Sequence, residues 1–153
     1  MKILVVSDTH GNLKNIEFAL KNFPHEKVFF LGDGYKDLKN FGDEEIYAVK
    51  GNCDFFVTAD EDEVLKIEGY KILLTHGHTY GVKYTLSALT EKAEKEKFDL
   101  VCFGHTHKFF NLEKNGVTYL NPGSLGAMCE NSFAILNIEK NSIKITQIPV
   151  AKF

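Results

Sequence analysis

Cysteine is scarce in this chain, and its placement excludes two chemistries. The three cysteines, Cys53, Cys102 and Cys129, are widely spaced and form no CxxC pair. That argues against a disulfide framework and a thiolate zinc site, and it fits a reducing compartment. Long apolar runs are missing as well. The longest candidates, such as Ile3–Val6 and Val28–Leu31, have strand length, far short of the ~20 residues of a membrane-spanning helix. The opening apolar run turns polar at Ser7 and Asp8, too early for the apolar segment of a signal peptide. A cytoplasmic protein with no membrane partner is expected. There is no basic stripe and no RNA-binding aromatic motif, and the net charge is −3 with lysines spread along the chain. Sequence-specific nucleic-acid binding is therefore unsupported, although a nucleotide could still be a substrate. Low-complexity segments, internal repeats and Pro/Gly/Ser-rich linkers are absent too.

What is present describes one globular domain over residues 1–153. Its 44% hydrophobic and 25% charged residues are ordinary for a folded protein of this size. Lys2–Val6 has the pattern of a buried strand. Leu13, Ile16, Leu20 and Phe23 then recur at helical spacing, and Pro24 ends that helix. Lys27–Leu31 and Ile46–Val49 follow as strands, so the first half predicts parallel pairing with right-handed crossovers. In the second half, Val64–Ile67 and Lys71–Thr75 flank a Glu68-Gly69-Tyr70 turn. Val82, Leu86, Leu89 and Ala93 form a helical stripe running to about Glu96, and Leu100–Phe103 is a further buried strand. Phe109–Glu113 and Val117–Leu120 bracket Lys114-Asn115-Gly116, a strong hairpin signal. Ser132–Ile138 and Ser142–Ile148 complete a second hairpin. Two mixed sheets packed face to face, with helices outside, accommodate these elements economically.

Polar chemistry collects where strands end. Asp8-Thr9-His10-Gly11, Gly32-Asp33-Gly34 and Gly51-Asn52-Cys53-Asp54 follow the first three strands. His76-Gly77-His78 and Gly104-His105-Thr106-His107 follow two later ones. Five of the six histidines lie in these loops, and only His25 does not. Sites form at the carboxyl ends of strands in α/β sheets. Each piece alone has an ordinary reading: a turn carboxylate, a cap, a surface histidine. Five in succession point to a shared metal site.

The candidate ligands are Asp8, His10, Asp33, Asn52, His76, His105 and His107. Seven are too many for one ion, and Asp33 can lend one oxygen to each of two. Mixed imidazole and carboxylate shells suit two divalent transition-metal ions, with Mn ranked first and Ni, Zn, Fe and Co as alternatives.

The succession D-x-H, GD, GN, a histidine and GHxH resembles the calcineurin-like metallophosphoesterase superfamily. Within it, the small size, His76-Gly77-His78 and Asn121-Pro122-Gly123-Ser124 resemble the small prokaryotic phosphodiesterases of the YfcE kind. The resemblance covers nearly the whole chain. It implies an α/β fold, a four-layer α/β/β/α sandwich of two mixed sheets with a dinuclear site at one edge. Asp8, His10 and His107 would hold one metal, Asn52, His76 and His105 the other, with Asp33 bridging. The chain departs at Cys53, where most of the superfamily carries the histidine credited with protonating the leaving group.

The expected activity is phosphodiester hydrolysis (EC 3.1.4.-), by in-line attack of a metal-bridging hydroxide at phosphorus. The expected partner is a small phosphodiester or nucleotide-like substrate, and a homo-oligomer is left open. Asn52 would help orient a phosphate oxygen, and Asp54 or His78 would stand in for the missing acid. His78 reads equally as a satisfied loop histidine. Phe55, Phe56 and Tyr80 would contact the organic part of a substrate or, the preferred reading, pack into a core or dimer interface. Two other functions compete: a phosphomonoesterase or protein phosphatase, and a non-catalytic binding module such as the retromer subunit that shares this fold.

Overall fold

Apolar side chains on both faces of the first strand set the layering. Successive residues of a strand leave opposite faces. Ile3 and Val5 join one buried cluster, whereas Leu4 and Val6 join another. Phe29 and Leu31 divide from Val28 and Phe30 in the same way. Such a sheet must be covered on both sides.

The computed structural model describes residues 1–151. In chain order its elements are β1 (Lys2–Val6), α1 (Leu13–Asn22), β2 (Lys27–Phe30), β3 (Ile46–Ala48), β4 (Asp62–Ile67) and β5 (Tyr70–Thr75). They continue with α2 (Ser87–Lys95), β6 (Leu100–Cys102), β7 (Phe109–Lys114), β8 (Val117–Pro122), β9 (Asn131–Glu139) and β10 (Ser142–Val150). Two five-stranded sheets result, ordered β10-β9-β1-β2-β3 and β4-β5-β6-β8-β7. Both are mixed. β1, β2 and β3 pair in parallel, as do β5, β6 and β8, while the hairpins add antiparallel edges.

Ile3, Val5 and Phe29 of the first sheet meet Ile72, Leu74 and Leu100 of the second in the central core. α1 covers the outer face of the first sheet through Ile16 and Ala19. α2 covers the second through Leu89 and Ala93, against Leu73, Val101 and Tyr119. This is the expected four-layer α/β/β/α sandwich. The Asn115-Gly116 turn has positive φ at both positions, 51° and 80°, the geometry that makes Asn-Gly a hairpin former.

Two helix boundaries differ from expectation. α1 opens on Asn12, whose side chain accepts from the Asn15 amide at 3.0 Å, but it stops at Asn22. Phe23 is extended (φ −126°, ψ 109°) because a residue preceding proline is driven out of the helical region. It packs instead on Phe133, ring centroids 5.0 Å apart. In the second half, Val82 and Leu86 belong to the α2 cluster but precede the helix. Hydrogen bonds from Tyr84 and Thr85 to the Gly81 carbonyl form a separate turn there. Among the described residues, no helix is long and apolar enough to cross a membrane.

Candidate metal centre

The parallel strands aim their carboxyl ends at one edge, where loop amides tie neighbouring strand ends together within each sheet. Asp8 donates to the Gly32 carbonyl (2.9 Å) and His10 to that of Asp33 (3.2 Å); Gly104 donates to that of His76 (3.0 Å). Two triads of ligand atoms form there, Asp8/His10/His107 and Asp33/His76/His105, each with its atoms within 4.8 Å of one another. The expected sets differ from these groups in placing Asn52 with His76 and His105 and Asp33 between the two. Asn52 lies on the adjoining loop with an exposed side chain, just before Cys53, whose amide donates to Asp33 Oδ1 at 2.8 Å.

Asp8 decides whether a cation fits. Its Oδ2 accepts from the Ser7 hydroxyl (2.5 Å) and the His105 amide (3.2 Å). Its Oδ1 is fully buried with no hydrogen-bond partner. A buried carboxylate oxygen without a donor is costly. Around it lie His107 Nε2 at 3.1 Å and the Nε2 atoms of His10 and His76 at 3.8 Å. An anionic oxygen and three imidazole nitrogens facing one another suit a divalent ion.

The second triad is equally organised. His76 Nδ1 lies 2.6 Å from the Leu31 carbonyl oxygen, which can only accept, so Nδ1 carries the proton and Nε2 faces inward. There it meets Asp33 Oδ2 and His105 Nδ1, each at 3.2 Å. Burial would raise the Asp33 carboxyl, but hydrogen bonding and charge from His76 and the Cys53 amide outweigh it and hold Asp33 well below the usual carboxylate range. Burial would lower His76, but Asp33 and Asp8 reverse the sign and raise it. His105 is pushed down to about 4, by burial first and then by His76.

Five of these six candidate ligands, Asp8, His10, Asp33, His105 and His107, have positive φ, between 43° and 72°. Left-handed backbone costs non-glycine residues roughly 1–2 kcal/mol each, and strain of this kind gathers at functional sites. Gly104 permits the close approach: a Cβ there would lie 2.1 Å from Ser7 Oγ and 2.8 Å from Asp8 Oδ2.

The remaining candidates separate. Asp54 Oδ1 accepts from the amides of Gly34 and Tyr35, and Oδ2 from those of Asp33 and Gly51, all at 2.7–2.9 Å. His78 lies beside the His76 and His105 rings, with centroids 5.4 and 6.1 Å away. Its Nδ1 is buried without a partner, and its Nε2 lies 3.8 Å from Glu61. Tyr80 hydrogen-bonds Asp62 and packs against the α2 cluster. Phe55 and Phe56 are 68% and 104% exposed, so the core reading fails for both. Phe55 lines a cleft of about 210 Å³ together with His10, Asp33, Lys36 and Cys53. The Cys53 thiol is pushed up by burial and then by the Asp33 carboxylate, so it is a protonated thiol at neutral pH rather than a thiolate.

Sequence reasoning assigned no role to the residues that support the ligands. Ser7 is one. Asp37 is another, since its Oδ2 accepts from Thr9 Oγ1 (2.6 Å) and the Gly11 amide (2.8 Å). Asn121 donates to the Gly104 carbonyl (2.9 Å) and Ser124 Oγ to that of Asp8 (2.8 Å). The Asn121-Pro122-Gly123-Ser124 motif was the available signal for the last two.

A model for a calcineurin-like phosphoesterase superfamily domain matches residues 1–141. The chain belongs to this superfamily. It is 32% identical over 150 residues to a Bacillus subtilis protein named "Probable metallophosphoesterase YsnB", covering 95% of this chain and 89% of that one. It is 30% identical over 154 residues to the phosphodiesterase YfcE of Escherichia coli, covering 82% and 79%. Among solved structures it is similar to wild-type Vps29 of Entamoeba histolytica complexed with zinc, at 27% identity and a TM-score of 0.74, covering 97% and 99%. The superfamily and these likenesses make the chain a metallophosphoesterase, a metal-binding hydrolase of phosphoric esters.

Proposed function

We propose that the protein is a phosphodiesterase working with two divalent ions, Mn in first place. The observation that carries this reading is the pair of ligand triads around the unpartnered, buried Asp8 Oδ1. Asp8, His10 and His107 would hold one ion, and His76, His105 and Asn52 the other. Asp33 would serve both, with Oδ2 facing the histidines and Oδ1 accepting from the Cys53 amide. When bound, the ions supply Lewis acidity toward the phosphate oxygens and lower the pKa of water.

The chain supplies position and charge. Two divalent ions outweigh Asp8 and Asp33, so the site stays positive and favours an anionic phosphodiester. The cleft beside His10 and Asp33 gives one ester arm a place outside the ligand loops. Asn52 orients a phosphate oxygen. His78, whose imidazole is pushed down by burial and then by His76, stays neutral and keeps one N–H to donate to phosphate. Asp54 is reassigned: with its four strongest acceptor directions filled by backbone amides, it is a positioning residue for the Asp33 loop and not the substitute acid.

Vps29 has been solved with zinc, so metal content alone does not separate an enzyme from a binding module. The test therefore combines stoichiometry with turnover. Protein reconstituted with Mn should bind two ions per chain and cleave bis(p-nitrophenyl) phosphate faster than p-nitrophenyl phosphate. Asp33→Asn should lose on the order of 10³-fold in rate, more than His10→Gln, because nucleophile generation and charge stabilisation fail together. Full activity with one ion removes the dinuclear reading. Faster monoester cleavage makes the protein a monoesterase, and metal binding without turnover makes it a binding module.

A further inference from the structure

We infer that the cleft beside His10 and Asp33 receives an aromatic ring carried by the substrate, stacked on Phe55, so that the substrate class is a phosphodiester with a nucleoside or aryl arm. This rests on the proposed phosphodiesterase reading for the phosphate, which the ligand loops hold, and adds the organic arm.

An exposed phenylalanine on a cleft wall, followed by a second exposed one, is costly as it stands. Burying one such side chain is worth about 1.5–3 kcal/mol, yet Phe55 is 68% exposed and Phe56 is fully exposed. Phe56 also has φ of 61°, a left-handed conformation that costs a bulky residue roughly 1–2 kcal/mol. The chain nevertheless holds this segment in place. Lys50 ties it twice, from its amide to the Asp60 carbonyl at 3.0 Å and from Nζ to that of Val57 at 3.5 Å. Asp54, the residue before Phe55, is fixed by its four amide bonds. Phe55 is thus a pre-positioned apolar face at fixed reach from Asp33.

The cleft has the other features an aromatic phosphoester needs. His10 and Asp33 form part of its wall, so a phosphate on the ligand loops and a ring on Phe55 belong to one molecule. Lys36 lines the same wall. Its neighbour Asp37 is occupied by Thr9 and Gly11, and Lys36 forms no ion pair among the described residues, leaving its ammonium for ligand phosphate. A volume of about 210 Å³ suits a small ring system. A ring stacked on an aromatic side chain gains ~1–3 kcal/mol with little dependence on which base it is.

Three diesters with one leaving group test this. In methyl, phenyl and thymidine 5′-(p-nitrophenyl) phosphates only the retained arm differs. The expected kcat/KM for an aromatic arm exceeds that for methyl by roughly 5- to 150-fold, the stacking range above expressed as a ratio. Phe55→Ala should abolish the preference and Phe55→Tyr should retain it. A phenyl gain equal to that of thymidine identifies an aryl arm, and a larger thymidine gain identifies a nucleoside. Calorimetry of AMP against ribose 5-phosphate, with and without Mn, gives a readout free of turnover, and AMP should bind tighter by a similar factor, through Phe55. Equal rates for all three arms, or a preference surviving in Phe55→Ala, overturn the inference and leave the phosphodiesterase reading standing. Inert esters with Phe55-dependent AMP binding remove the phosphodiesterase reading and keep the ring site. Inert esters with no AMP preference remove both.

Discussion

His76 donates its Nδ1 proton to the Leu31 carbonyl oxygen across 2.6 Å. Leu31 follows β2, whereas His76 follows β5 of the other sheet. One hydrogen bond therefore joins the sheets and fixes the tautomer of a ligand, as such outer partners of metal-binding histidines generally do.

Opposite shifts at neighbouring histidines predict the titration of the metal-free protein. By NMR, His105 should titrate near pH 4 and His76 above its ordinary value of 6.5. The raised His76 value contributes stability that is complete below the unfolded pKa and lost as pH rises through the folded one. The lowered His105 value costs stability as pH falls from about 6.5 toward 4, where only the unfolded chain takes up that proton. From these two groups, metal-free stability should peak near pH 6.5, as followed by thermal melts. Metal affinity should instead climb as His76 deprotonates. A flat affinity across pH 6–8 would contradict the assignment.

Ser7 tests the support of Asp8. Ser7→Ala removes the hydroxyl on Asp8 Oδ2 and leaves all six ligands of the two triads in place. Losing an outer partner of this kind typically weakens metal affinity 10- to 100-fold. Competition against a chromogenic chelator measures it.

Asp54→Asn separates positioning from acid catalysis. An amide group cannot accept from all four backbone N–H groups, and stranding one costs about 1–3 kcal/mol. The melting temperature should fall by about 2–4 °C for each kcal/mol lost, with weaker metal retention. An unchanged melt with a displaced pH–rate profile would restore Asp54 as the acid.

Cys53 bears on the leaving group. General-acid assistance is typically worth ~10²–10⁴-fold, and a thiol held above its ordinary pKa is a weak acid to lend. Rates on a graded series of aryl and alkyl diesters should fall steeply as leaving-group pKa rises, and Cys53→His should flatten the slope. A flat wild-type dependence, with chemistry rate-limiting, would reveal another acid, His78 being the first to replace.

The fold was legible because its strands are short apolar runs, several followed closely by glycine, and two of its hairpins carry Glu68-Gly69 and Asn115-Gly116. Phe23 and Val82 misled because each keeps helical spacing while Pro24 or Gly81 breaks the backbone. The gathering of six candidate ligands at one edge was legible because metal chemistry restricts residue type, so five loops could be read together. Their supports were not. Asp37 and Leu31 act through a carboxylate and a carbonyl on distant loops, and Ser7 through a hydroxyl on its neighbour Asp8; nothing in local sequence marks either. The positioning role proposed for Asp54 was hidden in the same way, since its four donors come from Gly51 and the loop around Asp33.

The left-handed ligands give catalysis and folding opposing interests. Asparagine, with its short side chain, tolerates positive φ better than histidine does. Replacing His10 or His107 with asparagine should therefore abolish chemistry while leaving the metal-free fold as stable or slightly more so. The sandwich core, built from clusters that include neither residue, does not resist the change. On the proposed reading these histidines serve turnover and not folding. A lineage released from it can shed the chemistry without unfolding and keep the scaffold for another use.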